Sequence, residues 1–280
     1  MCDKYYKKMT AVLRGGGDLA TGVAQKLWRS GFQLIILETP SPTTIRRTVA
    51  LSTAIAEGIY QVEDMTARRI KSPAERHALW QKGEIPILAD PRASALAEIK
   101  PDVLIDAIIA KKNLGTYRHM APLTIALGPG FSAPKDVDAV IETMRGHSLG
   151  RLITEGEPLA NTGMPGELGG KTAERVVHTP AAGIVRHLSQ IGRQVDKGEP
   201  LFYLEDLAFP DDPDKRIIVT SPLKGTLRGL IAEGLQVPKG LKCADVDPRP
   251  AHEVDCYTIS DKARCLGGAV LEACLYLKKN

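Results

Sequence analysis

A glycine-rich turn near the start of the sequence has the spacing of a dinucleotide-binding motif. Gly15, Gly17 and Ala20 match the pattern G-x-G-x-x-G/A, and Gly16 lies between the two glycines. Glycines allow the backbone to approach a pyrophosphate, which then lies at the positive end of the following helix. Glu38 ends the next apolar run, about 20 residues further on, where a carboxylate can bind the ribose. The pattern predicts nucleotide binding by these three glycines and Glu38, with tight helix–strand packing as the alternative.

Three charged residues near this turn are further candidates. Asp18 begins the predicted helix, where it either caps the N-terminus or supplies a catalytic polar group; capping is the commoner role of such a residue. Arg46 and Arg47 follow the second predicted strand. Adjacent arginines can bind a phosphate or a partner's carboxylate, or they can form the solvated face of a helix. We predict that Asp18, Arg46 and Arg47 contribute to the cofactor site.

Other candidates follow apolar runs that are typical of buried strands. Asp106 stands among Val, Leu, Ile and Ala. Because an unpaired carboxylate in a core is costly, we place it at the end of a strand, where α/β proteins bind ligands. Gly128 and Gly130 end the next strand, and Arg145 and His147 follow the last one. We predict Asp106 and His147 as catalytic, the latter by residue type, and the other three as cofactor contacts. A structural or surface role for His147 is the alternative.

Residues 146–170 contain seven glycines and two prolines and have no sustained periodicity. Such a segment is either a linker or an ordered loop that lines a ligand site, because long loops in compact proteins are often functional. Asn161 supplies a small polar group in the middle of this segment. We predict that Asn161 contacts the cofactor.

The elements that must position these residues alternate over residues 11–150. Short apolar runs separated by helical stripes predict a Rossmann-like domain with a parallel sheet covered on both faces. The first helix ends near Gly31, and a capping box from Ser72 to Glu75 begins a second helix that Gly83 ends. The predicted strands are residues 11–13, 33–37, 85–88, 103–105, 123–127 and 139–141.

The second part of the chain contains an internal repeat with a constant offset of 42 residues. Two such units predict a small all-β sandwich that resembles the biotinyl/lipoyl-type barrel-sandwich hybrid. The connection between the units lacks the Met-Lys-Met sequence of that family, and Lys215 alone is a poor candidate for a modified lysine. Cys243 corresponds to Leu201, which favours a packed core position. The repeated residues are Pro180, Gly183, Arg186, Gly192, Val195, Lys197 and Gly198, which recur as Pro222, Gly225, Arg228, Gly234, Val237, Lys239 and Gly240.

The end of the second repeat and the C-terminus complete the domain plan. Asp245 and Asp247 lie two apart on a strand and face the same side, so they either hold a cation or brace Arg249 against the other domain, and we favour the brace. Ser260 caps a C-terminal helix that packs on a larger domain. The predicted domains are residues 1–150 (nucleotide-binding), 151–178 (glycine-rich connection), 179–249 (barrel-sandwich hybrid) and 250–280 (C-terminal helix).

The composition is that of an ordinary globular protein, with 43% hydrophobic and 25% charged residues. A net charge of +4 suits anionic small molecules and is too weak and scattered to indicate nucleic acid. Five cysteines without a CxxC pair or a secretion signal indicate reduced thiols and no metal site. No apolar run is long enough to span a membrane. The sequence therefore predicts a cytoplasmic protein without membrane or nucleic-acid partners.

Taken together, these stretches resemble the YqeB-type family of accessory proteins for selenium-dependent molybdenum hydroxylases. The resemblance spans nearly the whole chain. The matching segments are RGGGDLATG at 14–22, TIRR at 44–47, LGPGF at 127–131, VIETMRGH at 140–147, LGR at 149–151, NTGMPG at 161–166, DVDPR at 245–249 and ISDK at 259–262.

The resemblance implies a role in maturing the molybdenum enzyme, acting on the molybdenum cofactor or its labile selenium. The implied partner is the hydroxylase apoenzyme or its maturation machinery, and the implied cofactor is a nucleotide or dinucleotide, either NAD(P) or a molybdopterin dinucleotide. No catalytic residue set transfers with the resemblance, and a homo-oligomer is left open. Two alternatives remain: an NAD(P)-dependent oxidoreductase, and a non-catalytic adaptor that docks the hydroxylase.

Overall fold

The computed structural model describes residues 8–163, 170–209 and 212–277. Cys2 lies outside the described residues. So do residues 164–169, which are part of the predicted connection 151–178. The chain divides into two units. We call the first, Met1–Pro42 with Ala50–Asn161 and Ile259–Asn280, the α/β unit, and the second, Thr43–Val49 with Thr162–Thr258, the β unit.

The α/β unit is built on a nine-stranded sheet in which seven neighbouring strands are parallel. The strand order is β3-β4-β5-β2-β1-β6-β7-β8-β9. Only the two edge strands are antiparallel, β3 to β4 and β9 to β8. The central strands are apolar on both faces, as expected where helices cover a parallel sheet. The strands are β1 (Thr10–Arg14), β2 (Gln33–Glu38), β3 (Ile59–Val62), β4 (Met65–Ile70), β5 (Ile85–Ala89), β6 (Val103–Asp106), β7 (Leu123–Leu127), β8 (Ala139–Ile141) and β9 (Leu152–Ile153).

Within the described ranges, five helices accompany this sheet, and two of them are long. The first long helix has Asp18 in its first turn and Lys26 and Arg29 in its last turn, charges that favour the helix dipole. In the second, the Ser260 hydroxyl accepts a hydrogen bond from the Ala263 N–H and caps the N-terminus. Among the described residues, no helix combines the length and apolarity that crossing a membrane requires. The helices are α1 (Asp18–Arg29), α2 (Ala54–Glu57), α3 (Arg76–Gln81), α4 (Leu96–Ile99) and α5 (Asp261–Tyr276).

Helices α1 and α5 pack against each other through glycines. A Cβ atom added at Gly22 would lie 2.3 Å from the Ala263 carbonyl oxygen, and one added at Gly267 would lie 2.3 Å from the Gly22 carbonyl oxygen. The added atom at Gly267 would also lie 2.7 Å from the Lys26 side chain. Gly22 thus meets the start of α5 and Lys26 meets the next turn, so the two helices run in the same direction.

The β unit consists of two four-stranded antiparallel sheets that exchange strands between the repeats. One sheet has the order β10-β17-β15-β12 and the other β14-β13-β11-β16. In chain order, strands β10 to β13 belong to the first repeat and strands β14 to β17 belong to the second. Each repeat therefore supplies the inner pair of strands of one sheet and the two outer strands of the other sheet. The strands are β10 (Val176–His178), β11 (Gly183–His187), β12 (Gln194–Val195), β13 (Pro200–Glu205), β14 (Ile217–Thr220), β15 (Gly225–Leu230), β16 (Gln236–Val237) and β17 (Lys242–Asp247).

One apolar core fills the space between these two sheets. It includes Phe202, Leu201 and Cys243, all of which are fully buried. Cys243 is therefore a core residue, as its correspondence with Leu201 predicts, and burial raises the pKa of its thiol to about 12. Ile45 also packs against this core, and its carbonyl oxygen accepts a hydrogen bond from the Leu230 N–H. This contact explains why Thr43–Val49 belongs to the β unit.

The predicted fold class, a Rossmann-like parallel sheet domain plus a biotinyl/lipoyl-like barrel-sandwich hybrid, is wrong. The large sheet is mixed, because β3 and β9 are antiparallel edge strands, and the repeats form two separate antiparallel sheets. The hairpin of β3 and β4 was missed because its short strands are half exposed and carry charged residues. The individual predictions at 123–127 and 139–141 are confirmed as β7 and β8, and Ser260 does cap a C-terminal helix.

Candidate functional site at the carboxyl edge of the sheet

The glycine-rich turn joins β1 to α1, and its glycines bring segments of the chain itself together. Gly15 has a φ of 98°, and a Cβ atom there would lie 3.0 Å from the Ala107 carbonyl oxygen. A Cβ atom at Gly16 would lie 3.1 Å from the Ser52 nitrogen, which donates a hydrogen bond to the Gly16 carbonyl oxygen. The packing alternative therefore accounts for Gly15 and Gly16, whereas Gly17 is the N-cap of α1.

Glu38, the predicted ribose ligand, holds the turn in place. Its Oε2 accepts a hydrogen bond from the Gly16 N–H at 2.8 Å, and its Oε1 accepts one from the Thr39 N–H at 2.7 Å. Burial raises the pKa of Glu38, and the two N–H groups offset part of that rise. A carboxylate has about four acceptor positions, so a ribose hydroxyl at Glu38 stays a prediction.

Asp106 ends β6, directly beside Arg14 at the end of β1. Both side chains are buried, and the Thr116 hydroxyl connects them by donating to Asp106 and accepting from Arg14. Arg14 also donates to the Pro91 carbonyl oxygen. Burial raises the pKa of Asp106, against the effects of Thr116 and Arg14. In this structure Asp106 anchors the loop that follows β6, and its catalytic role stays a prediction.

Gly128 and Gly130 follow β7, and each contacts a neighbouring loop. A Cβ atom at Gly128 would lie 2.6 Å from the Thr143 hydroxyl oxygen, and one at Gly130 would lie 2.6 Å from the Lys112 Cα. Both glycines have a positive φ, which residues with a Cβ rarely adopt. These contacts join the loops after β6, β7 and β8 into one continuous edge.

The N-termini of α1 and α5 lie side by side at this same edge. Lys262, in the first turn of α5, is half-buried and interacts electrostatically with Asp18 of α1, with Glu142 after β8, and with Arg145. Burial, and then the Arg145 charge, lower the pKa of Lys262, while the three nearby carboxylates, including Asp261, act in the opposite direction. A helix N-terminus carries unpaired N–H groups and partial positive charge. The edge thus combines the N-terminus of α1, which has no side-chain cap, with the capped N-terminus of α5, an amine and a guanidinium.

Glu142 fixes the loop that carries Arg145 and His147. It is buried, and its carboxylate accepts hydrogen bonds from the Met144 N–H at 2.6 Å and from the Leu159 N–H at 2.7 Å. Arg145 is partly exposed and pairs with Asp261 at 3.2 Å. His147 is exposed on the turn between β8 and β9. Its acid–base role stays a prediction.

Most of the predicted site residues meet at the carboxyl edge of the α/β unit. Asn161 is exposed at the boundary of this unit. Sequence reasoning missed Lys262, although the Ser-Asp-Lys start of α5 signals a helix N-terminus with a cation. The residues that the structure brings to this edge are Gly15, Gly16, Gly17, Asp18, Glu38, Asp106, Gly128, Gly130 and Arg145.

Arg46 and Arg47 belong to the β unit rather than to this edge. Arg46 is buried, and Arg47 donates from Nε to the Leu230 carbonyl oxygen at 2.7 Å. Local sequence could not reveal this, because Leu230 lies far along the chain.

The two aspartates of β17 pair with arginines. Asp247 accepts hydrogen bonds from Arg249 at 2.9 and 2.7 Å, whereas Asp245 pairs with Arg175 and Arg228. Burial by itself would raise the pKa of Asp247, but the hydrogen bonds and charge of Arg249 keep this pKa below its usual value. Of the two aspartates, Asp247 holds Arg249 and Asp245 pairs elsewhere, so a brace of Arg249 against the other domain stays a prediction. Among the described residues, no group of three His, Cys, Asp or Glu side chains is arranged to hold a metal ion.

Comparison with known proteins gives one close relationship. No family model matches the chain. The uncharacterized protein YqeB of Escherichia coli (strain K12) is 47% identical over 266 residues, which cover 95% of this chain and 47% of that protein. The match supports the YqeB-type family name for this chain. The chain spans about half the length of this curated relative.

Solved structures resemble this chain only weakly. The ectoine utilization protein EutE (DoeB) of Ruegeria pomeroyi has a TM-score of 0.28 and 12% identity, covering 86% of this chain and 85% of that one. A succinylglutamate desuccinylase/aspartoacylase of Rhodobacter sphaeroides has a TM-score of 0.27 and 11% identity, covering 86% of each chain. At such values no chemistry is carried from these proteins to this chain.

Proposed function

We propose that this chain is an accessory factor in the maturation of a selenium-dependent molybdenum hydroxylase, and that it binds a phosphate-bearing nucleotide or dinucleotide at the carboxyl edge of its nine-stranded sheet. The observation that carries the binding site is the pair of parallel helices α1 and α5. Their N-termini lie together, and Lys262 in the first turn of α5 interacts electrostatically with Asp18 and Arg145. The accessory role comes from the family resemblance.

The chemistry of this edge suits a phosphate group. Unpaired N–H groups at a helix N-terminus donate to phosphate oxygens, and the helix dipole favours the negative charge. Lys262 supplies a point charge, and Arg145 supplies a planar fork that can bind two oxygens at once. Arg145 is held by the exposed Asp261, and an exposed pair of this kind is weak enough to exchange for a ligand.

The binding site is tested by calorimetry with purified protein and five candidate ligands: NAD, NADP, ATP, CTP and molybdopterin cytosine dinucleotide. We expect at least one to bind, and Lys262→Ala to weaken that binding about tenfold or more, as expected for loss of a hydrogen bond to a charged group. Lys135→Ala removes an exposed lysine and serves as the control with unchanged affinity. Equal affinities of all three proteins would exclude this site.

The accessory role is tested in a strain that lacks this protein, in which we expect hydroxylase activity to be lost. The wild-type gene should restore the activity, and the Lys262→Ala gene should restore much less at equal protein level. Full hydroxylase activity in the deletion strain would contradict the accessory role. Steady hydride transfer from NAD(P)H to a small substrate would instead favour the oxidoreductase alternative.

A further inference from the structure

We propose that the loop formed by residues 107–117 is a docking surface for a protein partner that presents carboxylates around an apolar depression. The proposal rests on the proposed function, because the partner used to test it is the hydroxylase. The loop follows β6 and projects Lys111 and Lys112 into solvent. Leu114 and Tyr117 beside them are 47% and 62% exposed.

The loop is unusual in exposing apolar and basic side chains together. The sequence from Ala107 to Met120 contains no acidic residue. Arg118 within this stretch is held by Asp138 at 2.7 Å, so Lys111 and Lys112 are the cations that the loop offers. Two exposed lysines in a stretch of sequence without a carboxylate favour an acidic partner.

The base of the loop is fixed by buried polar groups. Arg14, Asp106 and Thr116 form the buried cluster described above. Above it, the Asn113 side-chain oxygen accepts hydrogen bonds from the Gly115 and Thr116 N–H groups, both at 2.8 Å. A loop held in one conformation loses little entropy when a partner binds, which favours affinity.

The backbone of the loop is strained in two places. Ile109 and Lys111 have φ values of 58° and 61°, a left-handed conformation that is unfavourable for a residue with a Cβ, above all for β-branched Ile109. Gly130 lets the Lys112 backbone approach, because any Cβ there would lie 2.6 Å from the Lys112 Cα. Strain of this kind persists where the surrounding structure enforces it and is frequent at ligand contacts and switches.

These features define the chemistry of the partner. Tyr117 is a large amphipathic side chain, the type that anchors protein interfaces by filling a pocket. Leu114 extends the apolar area, and the two lysines attract carboxylates at the rim of that pocket. The partner surface that fits is therefore an apolar depression with an acidic border.

The test measures binding of the full chain to the purified hydroxylase apoenzyme by biolayer interferometry. Tyr117→Ala should weaken binding about tenfold or more, as expected for an interface anchor. The double variant Lys111→Glu and Lys112→Glu should slow association and reduce its dependence on salt. Tyr276→Ala is the matched control, because Tyr276 is 76% exposed at the end of α5, and it should bind as the wild type does.

Each result decides the proposal. Binding that is equal in the wild type and the Tyr117→Ala and double-lysine variants would overturn the docking surface while leaving the accessory role in place. No binding of the wild-type chain to the apoenzyme would also overturn the docking surface. The accessory role itself would then be judged separately, by restoration of hydroxylase activity in the deletion strain.

Discussion

The β unit and the carboxyl edge of the α/β unit both place cations beside carboxylates, but they do so in opposite surroundings. In the β unit, Asp245 and Asp247 are 4% and 0% exposed and pair with arginines. At the carboxyl edge, Lys262 is half-buried and Arg145 is partly exposed. Breaking a buried ion pair leaves an uncompensated charge, whereas a partly exposed cation can exchange its carboxylate partner for a ligand. The charges of the β unit therefore stabilise the fold, and those of the edge are suited to binding.

The largest effect should come from Asp245→Asn in the β unit. Arg175 and Arg228 would lose their shared buried carboxylate, so the free energy of unfolding should fall by about 3–5 kcal/mol. Chemical denaturation followed by circular dichroism measures this change. Asp196→Asn is the control, because the Asp196–Lys224 pair is exposed and should contribute less than about 1 kcal/mol. Equal effects of the two substitutions would contradict the difference in stabilisation between buried and exposed ion pairs.

A second large effect is expected behind the carboxyl edge, where α1 and α5 meet. Gly22→Ala would place a Cβ 2.3 Å from the Ala263 carbonyl oxygen, and because backbone must move, we expect a destabilisation of about 1–3 kcal/mol or more. Gly268→Ala is the matched control. A Cβ there meets no atom within 4 Å, so this helix should become more stable by about 0.5–1 kcal/mol. Thermal unfolding of the two variants gives the sign of each effect, and a stabilised Gly22→Ala would contradict the packing described here.

The smallest effect concerns Glu38, whose pKa is raised by burial. The folded state then holds the proton more tightly than the unfolded state, so Glu38 contributes more to stability at low pH. This contribution should be lost as the pH rises through the raised pKa. Glu38→Gln, which cannot ionise, should lack this component. The difference in unfolding free energy, wild type minus Glu38→Gln, should therefore decrease from pH 3 to pH 7. An increase would contradict a raised pKa for Glu38.

The sequence was sufficient to locate the carboxyl edge of the sheet in the α/β unit. It was not sufficient to predict every side chain that lies there. Apolar runs followed by Asp106, Gly128 and Arg145 predicted strand ends, because buried strands have a clear composition and parallel strands place those ends together. Lys262 was not foreseen, since its approach to Asp18 depends on the packing of α1 against α5. The signal for that packing, Gly22 and Gly267, is not distinctive in a chain with many glycines.

Two further features depend on contacts that local sequence does not show. Arg46 and Arg47 are predicted for the nucleotide site because they follow β2, and this stays a prediction. The structure shows that Arg47 donates to the Leu230 carbonyl oxygen. The edge strand β3 was missed because only Val62 of its four residues is buried, so the alternation that signals a strand is weak. The position of Arg47 depends on a residue that is distant in sequence, and the exposure of β3 depends on contact with solvent.

The exchange of strands between the two repeats has a consequence for how the β unit can be divided. A single repeat would present an inner pair of strands with both flanking positions empty, together with two outer strands that have nothing to flank. A second identical copy would fill every one of those positions, so the two repeats pair within one chain as the subunits of a two-fold homodimer would. Neither half can be cut away as an independent module, and a half expressed alone should recover its missing strands by dimerising.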